Sequence, residues 1–291
     1  ENLPQFISMG PTLESQCMGG GDSSYLGPEY AGVHLNVDPR NPLPYVQPEG
    51  RPAVDGESAA KAGILRNLHR LASVEYPEDP RLRARIKSYE LAFRMQTAVP
   101  EVLQFEAEDL STRRLYGLDH EVTRPFGQQL LAARRLSERG VRFVQILHGD
   151  GAAGAWDAHS ALRANHTTLC AQVDRPIAGL LTDLKRRGLL DETIVVWTTE
   201  FGRTPCAQGA DGRDHHNYGF SIWMAGGGVK GGTVHGATDE LGFHAVEHRH
   251  YVTDIHATVL HLLGLDSRRL EIPGRKRLEV DHGRVIEEIL A

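Results

Sequence analysis

Twelve of the fifteen histidines lie between His148 and the end of the chain. Several stand beside acids in short polar segments: His148-Gly149-Asp150, Trp156-Asp157-Ala158-His159, Glu200-Phe201-Gly202-Arg203-Thr204-Pro205 and Gly212-Arg213-Asp214-His215-His216. Imidazole mixed with carboxylate is the donor set of zinc, manganese or iron, and its carboxylate-rich variants suit calcium or magnesium. The chemistry this supports is metal-assisted hydrolysis, with the ion as Lewis acid holding water or a substrate oxyanion. The candidate ligands of a divalent metal ion (zinc, manganese, calcium or magnesium) are Asp157, His159, Glu200, Asp214 and His215. Arg203 is the candidate for bidentate pairing with charged ester oxygens. His216 or His148 could serve as general acid for the leaving group.

Each segment also has a plainer reading. Glu200 directly follows the apolar run Ile194 to Trp197, where an unpaired charge is costly to shield. A salt bridge to Arg203 or Arg213 would meet that need as well as a metal would. Asp214-His215-His216 follows Gly212 and reads alternatively as a solvated polar turn. His244, His248, His250, His256 and His261 read as structural or exposed.

These segments need a scaffold to bring them together. Arg142 to Leu147 is a short apolar run, a buried strand that ends at His148. Thr193 to Thr199 is the clearest strand and ends at Glu200. Phe220 to Ala225 is another, preceded by the Asp214 cluster and stopped by Gly226-Gly227-Gly228. Between them a helix from Thr167 to Arg187 carries Val173, Ile177, Leu180, Leu181 and Leu184 on one stripe, with Gly188 at its end. Thr253 to Leu263 is a last amphipathic helix that ends at Gly264. Strands alternating with helices predict a largely parallel sheet covered on both faces. In such sheets ligands sit beyond the carboxyl ends of the strands, which would gather the three polar loops on one edge.

The first half is different. Residues 1–56 are rich in Gly and Pro and read as irregular coil draped over a core. From 57 to 140 the pattern is helical. Ile64, Leu65, Leu68 and Leu71 keep a 3.6-residue period, Pro80 opens a second helix, Pro100 a third, and a fourth runs from Pro125 to Gly140. The arginines of this segment (Arg81, Arg83, Arg85, Arg113, Arg114, Arg134, Arg135) read as solvated helix faces offset by glutamate, in preference to an anion-binding surface. The expected organisation is one α/β domain over 1–291, with the α/β core from 141 onward.

Composition narrows the function classes. A net charge of −6 argues against nucleic acid as the main partner. No apolar run approaches the roughly 20 residues of a membrane span. The three cysteines, Cys17, Cys170 and Cys206, form neither a disulfide framework nor a paired zinc signature. There is no Gly-x-Ser-x-Gly elbow, phosphate-cradling loop or dinucleotide fingerprint. Gly226-Gly227-Gly228-Val229-Lys230-Gly231-Gly232 reads as a tight turn into a short Thr233-Val234 strand.

Trp156-Asp157-x-His159, Val173-Asp174-Arg175-Pro176-Ile177-Ala178 and Arg187-Gly188-Leu189-Leu190-Asp191-Glu192-Thr193 are the first of an ordered set of motifs. Glu200 to Pro205, Gly212 to His215, Ala225 to Gly228, Gly236-Ala237-Thr238-Asp239 and Asp254-Ile255-His256-Ala257-Thr258 complete it. In this order they resemble domain-of-unknown-function family 1501, a sulfatase-like family allied to the alkaline phosphatase superfamily. The match is dense over 140–291 and looser over 1–140.

The resemblance implies a three-layer α/β/α fold with a largely parallel sheet and a metal-assisted hydrolase or transferase ancestry. Family members are commonly exported, so it also implies an extracytoplasmic location. The superfamily's metal ligands fall on Asp157, His159, Glu200 and His215, with Phe201 where a second ligand is usual, which favours a single metal. Its nucleophile follows an early strand. No such strand is read here, and Ser8, Thr12, Ser15 and Cys17 follow no buried apolar run, so the expectation is a nucleophile segment cut away or unused. The expected activity is hydrolysis of phosphate or sulfate esters of small molecules or glycans. The alternative is a catalytically degenerate member that binds a glycan or protein.

Overall fold

The computed structural model describes residues 3–11, 30, 32–38, 56–76, 79–149, 155–271 and 282–291, and its first regular element is a strand, β1 (Phe6–Met9). The chain divides into two compact units, one of residues 1–157 and 168–180, the other of residues 158–167 and 181–291.

In the first unit, β1 is the centre of a three-stranded parallel sheet, flanked by β2 (Val33–Leu35) and β3 (Phe143–Ile146) in the order β2-β1-β3. Ile7 pairs with Val33 on one side and Val144 on the other. Ile7, Met9 and Leu35 are fully buried. This corrects the reading of residues 1–56 as coil without an early strand. Four residues between Pro4 and Gly10-Pro11 are too few to show a period. What makes them a strand is pairing with β2 and with β3, the latter more than a hundred positions away, a tertiary effect that local pattern does not carry. Asp150, Thr12, Ser15 and Cys17 lie outside the described residues.

Four helices accompany this sheet: α1 (Gly56–Glu75), α2 (Pro80–Val102), α3 (Leu110–Leu115) and α4 (Arg124–Glu138). Pro100 lies inside α2 and does not open a new helix. It falls within the last turn, so the hydrogen bond that its missing N–H cannot make is lost near the end of the helix and not in its middle. α4 packs beside β3 and buries Leu130, Leu131 and Leu136. Arg134 and Arg135 are buried with them, which corrects their reading as solvated. Arg134 meets Glu108 and Glu138 at 2.8 and 2.6 Å, and Arg135 meets Glu108 at 2.5 Å, so the guanidinium charges are compensated inside the core. On α1, by contrast, Ile64, Leu68 and Leu71 are exposed.

A long helix, α5 (Leu162–Arg186), contributes residues to both units. The second unit continues with β4 (Val195–Trp197), β5 (Gly202–Arg203), β6 (His215–His216), β7 (Trp223–Ala225), β8 (Ala237–Thr238), β9 (Ala245–Glu247) and α6 (Val252–Leu262). Its described pairings, β4 with β7, β5 with β6 and β8 with β9, are all antiparallel. The parallel pairing expected here is found in the first unit. A parallel neighbour needs a crossover connection, usually helical, whereas β4 and β7 are joined through the β5–β6 pair with no helix between them. β4 and β7 are shorter than the apolar runs around them, and Thr233-Val234 is not a strand. After β7, Gly226, Gly227 and Gly228 all have positive φ and Val229 N–H donates to Gly226, a tight turn as expected. No described helix is long and apolar enough to cross a membrane.

Candidate metal centre

β5 and β6 set out the centre. Gly202 lies opposite His216 and Arg203 opposite His215. Successive residues of a strand point to opposite faces, so His215 and His216 part company. Arg203, directly across from His215, shares its face. The connection folds back on itself: Thr204 N–H donates to Asp214 at 3.0 Å, and Gln208 and Gly212 exchange backbone hydrogen bonds of 2.8 and 3.0 Å.

This turn grips the segment that carries His159. Arg213 N–H donates to Ala158 at 3.0 Å, and the Asp211 carboxylate accepts from Ala161 N–H at 2.8 Å. The approach at Gly212 is so close that a Cβ there would overlap the carbonyl of His159. Glycine is therefore required for contact, and the contact brings His159 to His215.

The two Nε2 atoms are 3.2 Å apart. His159 Nδ1 lies 2.5 Å from Gln208 Oε1. A carboxamide oxygen only accepts, so Nδ1 carries the proton and the Nε2 lone pair faces His215. Asp157, two residues before His159 on the same segment, completes a group whose ligand atoms all lie within 4.8 Å of one another. Two bonds of about 2.0–2.1 Å, the usual zinc–imidazole length, span 3.2 Å when they meet at roughly 100°, close to tetrahedral. Two nitrogens and one carboxylate oxygen fit a zinc-like ion better than calcium or magnesium. His159 and His215 are exposed and Asp157 is half-buried, so water or substrate can reach the remaining coordination positions. Phe201 packs on the His215 ring at 4.6 Å, and the Arg203 guanidinium lies 5.8 Å from the centre of the Phe201 ring, within cation–π range.

The other candidates lie elsewhere. Glu200 is exposed, accepts from Thr199 Oγ1 at 2.7 Å, and is not in the three-residue group. Asp214 Oδ1 accepts from the backbone N–H of His215 at 2.8 Å, which makes it a local brace for the residue beside it. His216 is buried. Its Nε2 lies 2.5 Å from the Phe243 carbonyl oxygen, with the Phe243 ring 4.3 Å away. His148 belongs to the first unit, where it accepts from Trp156 Nε1 at 3.1 Å and meets Phe126 edge-on. Burial pushes its pKa below the usual histidine value, against a smaller opposing effect of Gln172. Gln208, through its contact with His159, is the residue of the candidate centre that the sequence does not single out. Its one signal is the hairpin punctuation of Gly209 and Gly212 around it.

Fold and site together define a mixed α/β protein with an open aspartate–histidine–histidine cluster mounted on a glycine-dependent turn. The chain belongs to the family described as protein of unknown function (DUF1501), whose profile matches residues 1–290. No curated protein and no solved structure matches it significantly.

Proposed function

We propose that the protein is a metal-dependent hydrolase of phosphate or sulfate esters, acting on small-molecule or glycan esters in an extracytoplasmic setting. The observation that carries this reading is the grouping of Asp157, His159 and His215, whose ligand atoms lie within 4.8 Å of one another, with the two Nε2 atoms 3.2 Å apart. The wider placement, a sulfatase-like three-layer α/β/α member of the alkaline phosphatase superfamily, is supported by the ordered motifs and by the parallel β2-β1-β3 sheet.

A divalent ion held by this trio supplies Lewis-acid polarisation of an ester oxygen. The chain's own residues do the rest. Gln208 fixes the His159 ring so that Nε2 faces inward. Arg203 stands on the same strand face as His215 and offers a planar fork of donors to the charged oxygens of a phosphate or sulfate. Phe201 contacts both the His215 ring and the Arg203 guanidinium. His216 lies on the opposite strand face against Phe243, and we assign it to packing, not to proton transfer.

The test is a panel of aryl phosphate and aryl sulfate esters assayed with added zinc, manganese, calcium or magnesium. Metal-dependent turnover that disappears in His215→Ala, and whose KM rises in Arg203→Lys without loss of bound metal, is the expected result. Metal binding at the trio with no turnover of any ester would sink the hydrolase reading and leave a ligand-binding member of the family.

A further inference from the structure

His148 is a half-buried titratable side chain that the proposed reaction leaves without a role. It stands two residues beyond β3 and beside Gly149, which has a φ of +108°. A Cβ at Gly149 would lie 2.6 Å from the Cβ of Ala155, so glycine is what lets the returning chain come this close. One residue further on, Trp156 Nε1 donates to His148 Nδ1 at 3.1 Å, with the two ring centres 5.7 Å apart. The next residue is Asp157, the carboxylate of the candidate metal centre.

The His148 ring is itself held in place. Phe126, on α4, meets it edge-on with the centres 4.7 Å apart, and Gln172, on α5, hydrogen-bonds to it. An indole N–H only donates, so Nδ1 must offer a lone pair, and a doubly protonated imidazole has none. Burial favours the neutral ring by pushing its pKa below the usual histidine value, against a smaller opposing effect of Gln172. A ring engaged by both Trp156 and Gln172 is suited to orienting a neighbour, not to passing a proton to a leaving group.

A metal ligand is only as well placed as the groups behind it, and residues that orient ligands are worth a large share of metal affinity. Gln208 does this for His159. On the Asp157 side, the hydrogen bond that fixes the preceding residue is the one from Trp156 to His148. We propose that His148 is a positioning residue of the metal centre: by accepting from the Trp156 indole it anchors the Trp156–Asp157 segment to the end of β3 and holds the Asp157 carboxylate in the group with His159 and His215. The inference rests on the proposed metal centre, and it adds a residue that acts on the ion through its neighbour alone.

Calorimetric zinc titration of the full chain and its variants tests this. His148→Phe keeps an aromatic ring against Phe126 but removes the acceptor, and should weaken zinc binding by about 10-fold or more. His148→Asn places a carboxamide oxygen near the position of Nδ1 and should restore most of that affinity. Trp156→Phe removes the donor and should cost about as much as His148→Phe, with the two together costing no more than either alone. In Asp157→Ala, where the ligand is already gone, His148→Phe should have no further effect. The proposal is overturned if His148→Phe binds zinc as the wild type does, if His148→Asn is no better than His148→Phe, or if His148→Phe still weakens zinc binding in Asp157→Ala. The indole N–H resonance of Trp156 reports the anchor without any metal and should move upfield in His148→Phe. A resonance that stays in place would also overturn the proposal. If the resonance moves and zinc affinity does not, the positioning role falls and the metal centre stands. If the wild type binds no zinc that His215→Ala removes, the metal centre falls and the positioning role with it.

Discussion

The buried ion network around Glu108 and the Asp157–His159–His215 cluster both gather charged or titratable side chains, yet they are built in opposite ways. In the first unit the buried Arg134 and Arg135 converge on one carboxylate, and Arg134 also meets Glu138 nearer the surface. Cations and anions face each other, so the network is complete without a ligand. In the Asp157–His159–His215 cluster, two imidazole nitrogens and a carboxylate oxygen lie close together, and both imidazoles are exposed. All three can donate an electron pair, the composition of a cation site and not of an ion network. Complementary partners under cover mark a structural network. Like donors aimed at one exposed point mark a binding site.

The largest effect that separates the two lies in the first unit. Glu108→Gln should cost about 3–5 kcal/mol of stability, because it leaves two buried guanidinium groups short of their counter-charge. Metal affinity should be unchanged, and a simultaneous loss of bound metal would break the division drawn here. Burial alone would raise the pKa of Glu108, but Arg134 and Arg135 outweigh it and hold the carboxyl below its usual range. A carboxylate with a folded pKa below its unfolded one contributes fully above the unfolded value and loses that contribution as pH falls through the folded value. Denaturant melts across the acid range should therefore be flatter for Glu108→Gln than for the wild type.

Next in size is the loss of a ligand. His215→Ala should weaken zinc binding by more than the roughly 10–100-fold typical of losing a supporting residue, with little change in the stability of the metal-free chain because His215 is exposed. Equilibrium dialysis and a metal-free thermal melt read the two quantities separately. A large drop in metal-free stability would show the cluster to be a packing feature like the Glu108 network. Gly212→Ala should act on the same site without touching a ligand. The added Cβ overlaps the His159 carbonyl, so the turn must withdraw and carry His159 away from His215. The expected cost is about 1–3 kcal/mol of stability, as for other overpacked positions, together with zinc affinity reduced nearly as far as in His215→Ala.

These examples also show which features could be read in the sequence. Asp157, His159 and His215 were legible because they sit in short polar segments next to strands, and residue type alone names them as donors. The sequence did not separate them from Glu200, Asp214 and His216. His215 and His216 are identical neighbours, and only the register of β5 on β6 sends one to the cluster and the other against Phe243. Helices α4, α5 and α6 were legible to within a few residues, because periodicity and terminal glycines are local signals. β1 was not, since its four residues are a strand only through partners at Val33 and Phe143. Arg134 and Arg135 misled for a related reason: burial of a guanidinium depends on a carboxylate 26 or 27 residues away, which no window of periodicity reports.

Gln208 offers the smallest and sharpest test. Its side-chain oxygen 2.5 Å from His159 Nδ1 holds the proton on that nitrogen and leaves Nε2 free to ligate. If that is its role, Gln208→Leu should weaken zinc binding by about 10–100-fold, the range seen for residues that orient a ligand. Gln208→Glu should behave in the opposite way. A carboxylate accepts the same hydrogen bond more strongly and makes the imidazole a better donor, so zinc affinity should equal or exceed that of the wild type. A residue that merely shaped the turn would lose affinity in both variants, because the charge would bring nothing to a purely steric role. Calorimetric titration of the two variants side by side therefore separates a positioning residue from a packing one, with the sign of the Gln208→Glu change as the readout.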